Sequence, residues 1–363
     1  MVRPSGGNLL AELPTGARVL VLRLRSLGDT LLITPALRAL KAWRPDLEVS
    51  TLVEKRFADV FAGNPDVVET LCFESRAQVP SAVAALRRRK FALAVDVHGG
   101  ATSALLTLAS GARHRAGRTH YRFRFAYNVL CPEPPEVLGR TAMHSVEDRM
   151  TTFLWLGVPL GEIPALQIFP QPAARAAVRE RLAVHGVPAG MRYAVIQATA
   201  RFFTKEWPLA RFAKLADWLH HEHELVPVFN CGPGEEERLA PALRGRSGVC
   251  LATSVGELAA LIEGAALFVG NDSGPTHLAA ALRRPLVVLF GSSSAGIWGP
   301  WKAAAEVVQN DFPCIPCPGD RCYAFDEPQC ILSITLEQVQ RAVEQALRAA
   351  VPEVSAAARA SHA

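Results

Sequence analysis

Gly270-Asn271-Asp272-Ser273-Gly274-Pro275-Thr276-His277-Leu278-Ala279-Ala280-Ala281-Leu282 is the stretch on which the fold turns. The apolar run before it, Ala265-Ala266-Leu267-Phe268-Val269, reads as a buried strand, and the small apolar residues after it read as a helix. A strand that ends in glycine and polar groups and then feeds a helix N-terminus is how an open α/β sheet builds an anion site. Unsatisfied N–H groups and the helix dipole both favour a phosphate there. Asp272, Ser273, Thr276 and His277 would crowd the carboxyl end of that strand, where ligands of such sheets bind. A capped helix without a ligand is the competing reading. A cap needs one Ser or Asp, not four polar groups beside two glycines.

Outward from this stretch, the same rhythm of apolar strand and amphipathic helix runs through both halves of the chain. In the second half, strands are expected at 193–197, 225–230 and 285–290, with helices at 209–220, 255–262 and 335–350. The last helix spaces Val339, Val343 and Leu347 for one buried stripe. In the first half, strands are expected at 19–22, 49–53, 67–73 and 91–97, and a helix at 31–42. Continuous apolar strands alternating with helices predict parallel, doubly wound α/β sheets covered on both faces. The Pro-rich segment 163–172 reads as a linker. The expected organisation is therefore a first domain at 1–165, a second at 173–350 and a flexible Ala/Ser-rich tail at 351–363, with a cleft between the two carboxyl edges.

The 363 residues suffice for two domains with cores of their own, and a chain half hydrophobic and one fifth charged is too apolar for disorder. Residues 1–17 hold no apolar run long enough for a signal peptide, and no segment approaches the roughly 20 apolar residues of a membrane span. A cytoplasmic protein is expected. The net charge of +5 permits attraction to an acidic substrate or membrane surface without demanding it.

Several clusters carry candidate chemistry. Strand 19–22 runs into Arg23-Leu24-Arg25-Ser26-Leu27-Gly28-Asp29-Thr30, which puts Asp29 at a strand's carboxyl end near a helix start. Helix cap and catalytic base are both open readings of it. No Gly-x-Gly-x-x-Gly accompanies it, which argues against a dinucleotide-binding fingerprint. Thr204 and Lys205 follow the first strand of the second half and offer a hydroxyl and a positive charge to a phosphate. Gly291, Ser292, Ser293 and Ser294 let backbone approach a ligand, and Trp298 and Trp301 beyond them read as packing residues.

A dense basic run, Arg113, His114, Arg115, Arg118, His120, Arg122 and Arg124, interleaves with Tyr121, Phe123 and Phe125. An acidic acceptor, a membrane surface, single-stranded nucleic acid and a merely solvated strand or loop all fit it. His98 ends strand 91–97 and is a candidate for the cleft. Cys72, Cys131, Cys231 and Cys250 read as buried free thiols. Cys314, Cys317, Cys322 and Cys330 are clustered, with a structural metal such as zinc, reduced thiols and disulfides as alternatives; the later spacings are not those of a zinc ribbon, and a cytosolic setting disfavours stable disulfides.

Four of these segments, in order, resemble glycosyltransferase family 9, the ADP-heptose:lipopolysaccharide heptosyltransferases. They are Arg25-Ser26-Leu27-Gly28-Asp29-Thr30-Leu31-Leu32-Ile33-Thr34-Pro35-Ala36-Leu37, Thr204-Lys205-Glu206-Trp207-Pro208, the donor loop from Asn271 to Ala281, and Phe290-Gly291 through Trp298-Gly299-Pro300-Trp301. The likeness spans residues 18–348. It implies a GT-B fold, two Rossmann-like domains facing across a cleft. The N-terminal domain would bind the acceptor and the C-terminal domain the nucleotide sugar. It further implies inversion at the anomeric carbon without a catalytic metal.

Carried over residue by residue, the resemblance makes Asp29 the general base and Thr204 and Lys205 the diphosphate ligands. Asp272 would bind donor-sugar hydroxyls, while Ser273, Gly274 and His277 would help hold the phosphates or position the sugar. An acidic, lipid-linked saccharide acceptor would give His98, Arg113, Arg115 and Arg118 a purpose. It also implies peripheral contact with the cytoplasmic face of the inner membrane and no nucleic-acid partner. The rival readings are a family 9 enzyme using another nucleotide sugar for O-antigen or capsule, a non-catalytic nucleotide-sugar-binding protein, and a cysteine-cluster metalloprotein or nucleic-acid binder.

Overall fold

In the computed structural model, residues 7–74, 78–246 and 248–350 are described, and the chain divides into two units, Met1–Phe169 and Pro170–Ala363. The division falls within the Pro-rich segment 163–172. The tail read at 351–363 lies outside the described residues, as do residues 1–6.

The first unit is built on β1 (Arg18–Leu22), β2 (Glu48–Glu54), β3 (Glu69–Phe73), β4 (Leu93–Asp96), β5 (His114–Arg118) and β6 (Val129–Cys131). They form one parallel sheet in the order β3-β2-β1-β4-β5-β6. Val19, Leu20, Val21 and Leu22 of the central strand are all fully buried, as expected for a strand covered on both faces. Its register pairs Leu22 with both Leu52 and Asp96, so β1 and β4 end level with each other.

Two sequence expectations are refined here. A short helix, Leu27–Leu31, precedes the helix expected at 31–42, which is found at Thr34–Trp43. Pro35 stands in the first turn of the second, where its missing N–H costs nothing but its ring bars a continuous helix through residue 31. The basic run is solvated only in part: Arg113, His120, Arg122 and Arg124 are exposed. Within it, β5 threads between β4 and β6, with Ala116, Gly117 and Arg118 buried.

The second unit repeats the plan with β7 (Tyr193–Gln197), β8 (Val226–Cys231), β9 (Val249–Ala252), β10 (Leu267–Asn271), β11 (Leu286–Leu289) and β12 (Glu306–Val308). The order is β12-β11-β10-β7-β8-β9, again parallel. Counted from its own first strand, each sheet runs 3-2-1-4-5-6. The order therefore reverses between β1 and β4 in one unit and between β7 and β10 in the other, and these switch points are where open α/β sheets take ligands. Gly270 is needed at the second of them, because a Cβ there would meet the Gln197 Cβ at 2.8 Å.

Trp207, Phe212, Phe229 and Leu289 anchor the core of this unit. The indole of Trp207 is buried and donates to the Ile334 carbonyl at 2.9 Å, so its one polar atom is satisfied. On the C-terminal helix Leu336–Ala350, Val339 and Val343 are buried and Leu347 packs against the same core, so the stripe read from the sequence faces inward. Among the described residues no helix is long and apolar enough to cross a membrane.

Candidate active site

Each switch point carries its own polar cluster. In the first unit β1 delivers Arg23 and the short helix Leu27–Leu31 carries Asp29 in its first turn. The Asp29 carboxylate is held by Arg23 at 2.7 Å and by Arg149, from the helix Ser145–Trp155, at 2.8 Å. The Ser26 hydroxyl donates to it at 3.1 Å. Burial opposes the charge on Asp29, but the Arg23 and Arg149 guanidiniums outweigh it and hold the carboxyl down at about 2. Asp29 is thus both a residue of the helix's first turn and the centre of an ion cluster, and its carboxylate is ionised at neutral pH.

Beside it, β4 ends in Asp96, a fully buried carboxylate whose Oδ1 accepts from the His98 and Gly99 amides at 2.8 and 3.0 Å. Its Oδ2 accepts from the Tyr127 hydroxyl at 2.7 Å. This fixes the turn that carries His98. Burial first, and then the field of Arg23, lower the His98 pKa, so its imidazole is neutral at pH 7. A cavity of about 340 Å³ opens here, lined by Arg23, His98, Arg118, His120 and Arg149 among others.

The basic run divides at this cavity. Arg118 reaches it and pairs with Asp148 at 3.0 Å, also donating to the Asp148 carbonyl and the Thr151 hydroxyl. Arg115 donates instead to the backbone carbonyls of Ala126 and Ala112, at 2.9 and 3.0 Å, and braces the segment that follows its strand. Arg113 is exposed, and neither it nor Arg115 lines the cavity. Arg23 and Arg149 were given no role from sequence. Arg149 lies 120 residues from Asp29, and nothing local to it marks the partnership.

In the second unit Asn271, the last residue of β10, ties two loops together. Its side chain accepts from the Trp207 amide at 3.0 Å and donates to the Ala198 carbonyl at 2.8 Å. Those bonds set the turn Phe203–Lys205 beside Asp272, and the Lys205 ammonium lies 2.7 Å from the Asp272 carboxylate. Asp272 is buried and also accepts from the Ser293 hydroxyl. Thr204 is buried, shares a hydrogen bond of 3.2 Å with Ser292 and donates to the Gly319 carbonyl.

The helix Gly274–Ala281 starts next to this pair, with Pro275 in its first turn. Ser273 precedes it but does not cap it with its side chain; that hydroxyl donates back to the Asn271 carbonyl at 3.1 Å. The helix start therefore keeps its dipole without a side-chain cap. His277, one turn on, is buried. Thr204, Lys205, Asp272, Ser273, Gly274 and His277 come from loops and a helix that Asn271 gathers at one switch point.

All eight cysteines are free thiols. Cys314, Cys317, Cys322 and Cys330 do line one small cavity, beside Thr204 and Ser292. Among the described residues, however, no three His, Cys, Asp or Glu side chains are arranged to hold a metal ion, so the zinc alternative for this loop is not supported. The four sit on different elements. The Cys317 amide is fixed to the Ser292 carbonyl at 3.0 Å, while Cys330 is buried on the separate helix Gln329–Leu332.

The profile of glycosyltransferase family 9 (heptosyltransferase) matches residues 80–324. Lipopolysaccharide heptosyltransferase 3 of Escherichia coli is 30% identical over 294 residues, covering 76% of this chain and 83% of that protein. Among solved structures, the family 9 glycosyl transferase of Veillonella parvula superposes with a TM-score of 0.80 at 22% identity, over 95% of this chain and 99% of that one. An E. coli ADP-heptose lipopolysaccharide heptosyltransferase II superposes with a TM-score of 0.75 at 21% identity, over 92% and 99%. The fold is GT-B, and the molecule is a glycosyltransferase. The chain belongs to glycosyltransferase family 9, the heptosyltransferases.

Proposed function

We propose that this enzyme transfers heptose from ADP-heptose to an acidic, lipid-linked saccharide of the lipopolysaccharide inner core, with inversion at the anomeric carbon. The observation that carries the donor assignment is the Lys205–Asp272 pair beside the start of the helix Gly274–Ala281. Lys205, Thr204 and the helix start take the diphosphate, while Asp272 takes hydroxyls of the sugar. Ser273, Gly274 and His277 shape the same loop. In the other unit Asp29 is the base, and His98 and Arg118 in the adjoining cavity receive the acceptor.

In the reaction, the acceptor oxygen bonds to the sugar C1 as the bond from C1 to the diphosphate oxygen breaks. The acceptor's proton passes to Asp29, and the departing charge is spread over Lys205 and the helix start. Such stabilisation of a leaving group by preorganised donors is electrostatic catalysis. With a lysine and a helix dipole in that role, no divalent cation is required. The names of the relatives support heptose and lipopolysaccharide. A lipid-linked acceptor places the work at the cytoplasmic face of the inner membrane, which the enzyme would meet peripherally.

The test is a mass-spectrometric transfer assay with ADP-heptose and a heptose-deficient inner-core acceptor, run in EDTA. A product heavier by one heptose, formed at an undiminished rate, is expected. No transfer from ADP-heptose, alongside transfer from another nucleotide sugar, would replace heptose as the donor. Loss of activity in EDTA would remove the metal-free mechanism.

A further inference from the structure

The ion pairs around Asp29 extend into a chain. Arg23 binds Asp29 at 2.7 Å, and Asp29 binds Arg149 at 2.8 Å. Arg149 reaches Asp148 with its other terminal nitrogen at 2.7 Å, and Asp148 binds Arg118 at 3.0 Å. Three guanidiniums thus alternate with two carboxylates, leaving one positive charge in excess with an arginine at each end. Arg23, Arg149 and Arg118 all line the same cavity of about 340 Å³. The Glu133 carboxylate on that wall is already engaged by His120, at 2.8 Å, and by the Thr119 hydroxyl. Arg23 donates one N–H to the Val97 carbonyl at 2.6 Å, and its Nε is a buried donor without an acceptor. A buried donor of this kind costs free energy until an acceptor arrives.

We propose that the cavity binds the anionic group of the acceptor saccharide, and that this anion competes with Asp29 for Arg23 and Arg149, so that acceptor binding itself releases the base. The assignment of Asp29 as base rests on the proposed function above; the anion site does not. A carboxylate or a phosphate monoester would complete the chain as its third negative member, since guanidinium forks match either group. In the free enzyme the two arginines hold the Asp29 proton affinity very low, which suits an ionised carboxylate but not a strong proton acceptor. Each hydrogen bond that the arginines transfer to the incoming anion raises that affinity. An acceptor lacking the anion would leave Asp29 clamped. The device therefore couples recognition of the correct acceptor to the chemistry.

The groups facing Asp29 support this coupling. Arg23 and Arg149 touch it, Ser26 donates to it, and Asp148 lies across Arg149. His98 lies in its field together with Arg23 and Arg25, and is neutral. The arginines are thus the cations in contact with Asp29, and weakening their hold is the way in which an anion in this cavity raises its basicity.

Linkage is reciprocal, so removing the Asp29 charge must strengthen anion binding. Inorganic phosphate and, separately, acetate are titrated by calorimetry into the full chain, with Asp29→Asn and Arg149→Gln as variants. Heat lost in Arg149→Gln is assigned to this cavity. Asp29→Asn is expected to bind the anion about five-fold tighter or more, and Arg149→Gln about ten-fold weaker. The tighter of the two anions identifies phosphate monoester or carboxylate as the group recognised. Unchanged or weaker binding in Asp29→Asn, or no effect of Arg149→Gln, overturns the proposal. If Asp29→Asn does not fold, the pH profiles decide. In the wild type the acid limb of kcat, which reports the bound complex, should lie above that of kcat/KM; in Arg149→Lys the two should converge. Coincident limbs in the wild type overturn the coupling. The anion titration uses no donor, so its failure is distinct from failure of the heptose assay.

Discussion

Replacing Asp29 with asparagine is expected to lower kcat by about 10²–10⁴-fold, the usual contribution of a positioned base. Affinity for ADP-heptose should stay within about two-fold, because the donor residues named above belong to the other unit. Asparagine keeps the shape and loses the proton acceptor. A single-turnover assay with both substrates saturating separates the chemical step from binding. Transfer at the wild-type rate would end the assignment of Asp29 as base.

The same substitution has a stability signature whose sign follows from the ion cluster. A carboxyl with an ordinary value of 3.8 that is held at about 2 in the fold stabilises the fold by about 2 kcal/mol at neutral pH. That contribution is fully present above 3.8 and is lost as pH falls toward 2. Asp29→Asn should therefore be less stable than the wild type in urea at pH 7, and the gap should narrow in acid.

Lys205→Ala is expected to reduce kcat/KM by about 10²–10³-fold, the loss seen when one preorganised donor to developing charge is removed. Here the variant also leaves the buried Asp272 carboxylate with the Ser293 hydroxyl and without its ammonium partner. Part of the loss should appear as weaker donor binding, since the diphosphate is charged in the ground state as well. Lys205→Arg should recover only a fraction, because a planar fork does not occupy the place of a compact ammonium. Steady-state kinetics with donor varied checks both. An alanine variant with unaltered kcat/KM would show that the diphosphate is held elsewhere.

The meeting of Lys205 with Asp272 was readable from sequence to an extent the pairing of Asp29 with Arg149 was not, and the reason is geometric. Lys205 and Asp272 are 67 residues apart, but each follows an apolar strand closely. Parallel sheets gather such strand ends at one edge, so the pattern predicts the meeting. Asn271, whose side chain makes that meeting exact in register, looks in the sequence like one more polar loop residue. Arg149 sits mid-helix in Ser145–Trp155 and joins Asp29 only through the packing of that helix. No spacing rule finds it.

Nor does charge density tell where each arginine goes. Arg113, Arg115 and Arg118 form one basic run in sequence, but strand alternation and the path of β5 through the sheet send Arg118 to the cavity and Arg115 to backbone carbonyls. Likewise, four closely spaced cysteines share a cavity wall, but among the described residues no three His, Cys, Asp or Glu side chains are arranged to hold a metal ion. Pro35 marks the first turn of the helix Thr34–Trp43, while the apolar periodicity begins three residues before Thr34, at Leu31.

The most direct measurement of the central claim is a calorimetric titration of the full chain with ADP-heptose, compared with ADP and with UDP- and GDP-sugars. Saturable binding of ADP-heptose, tighter than that of any UDP- or GDP-sugar by ten-fold or more, is the predicted result. Preference for a UDP- or GDP-sugar, or no nucleotide-sugar binding by the folded protein, would contradict it.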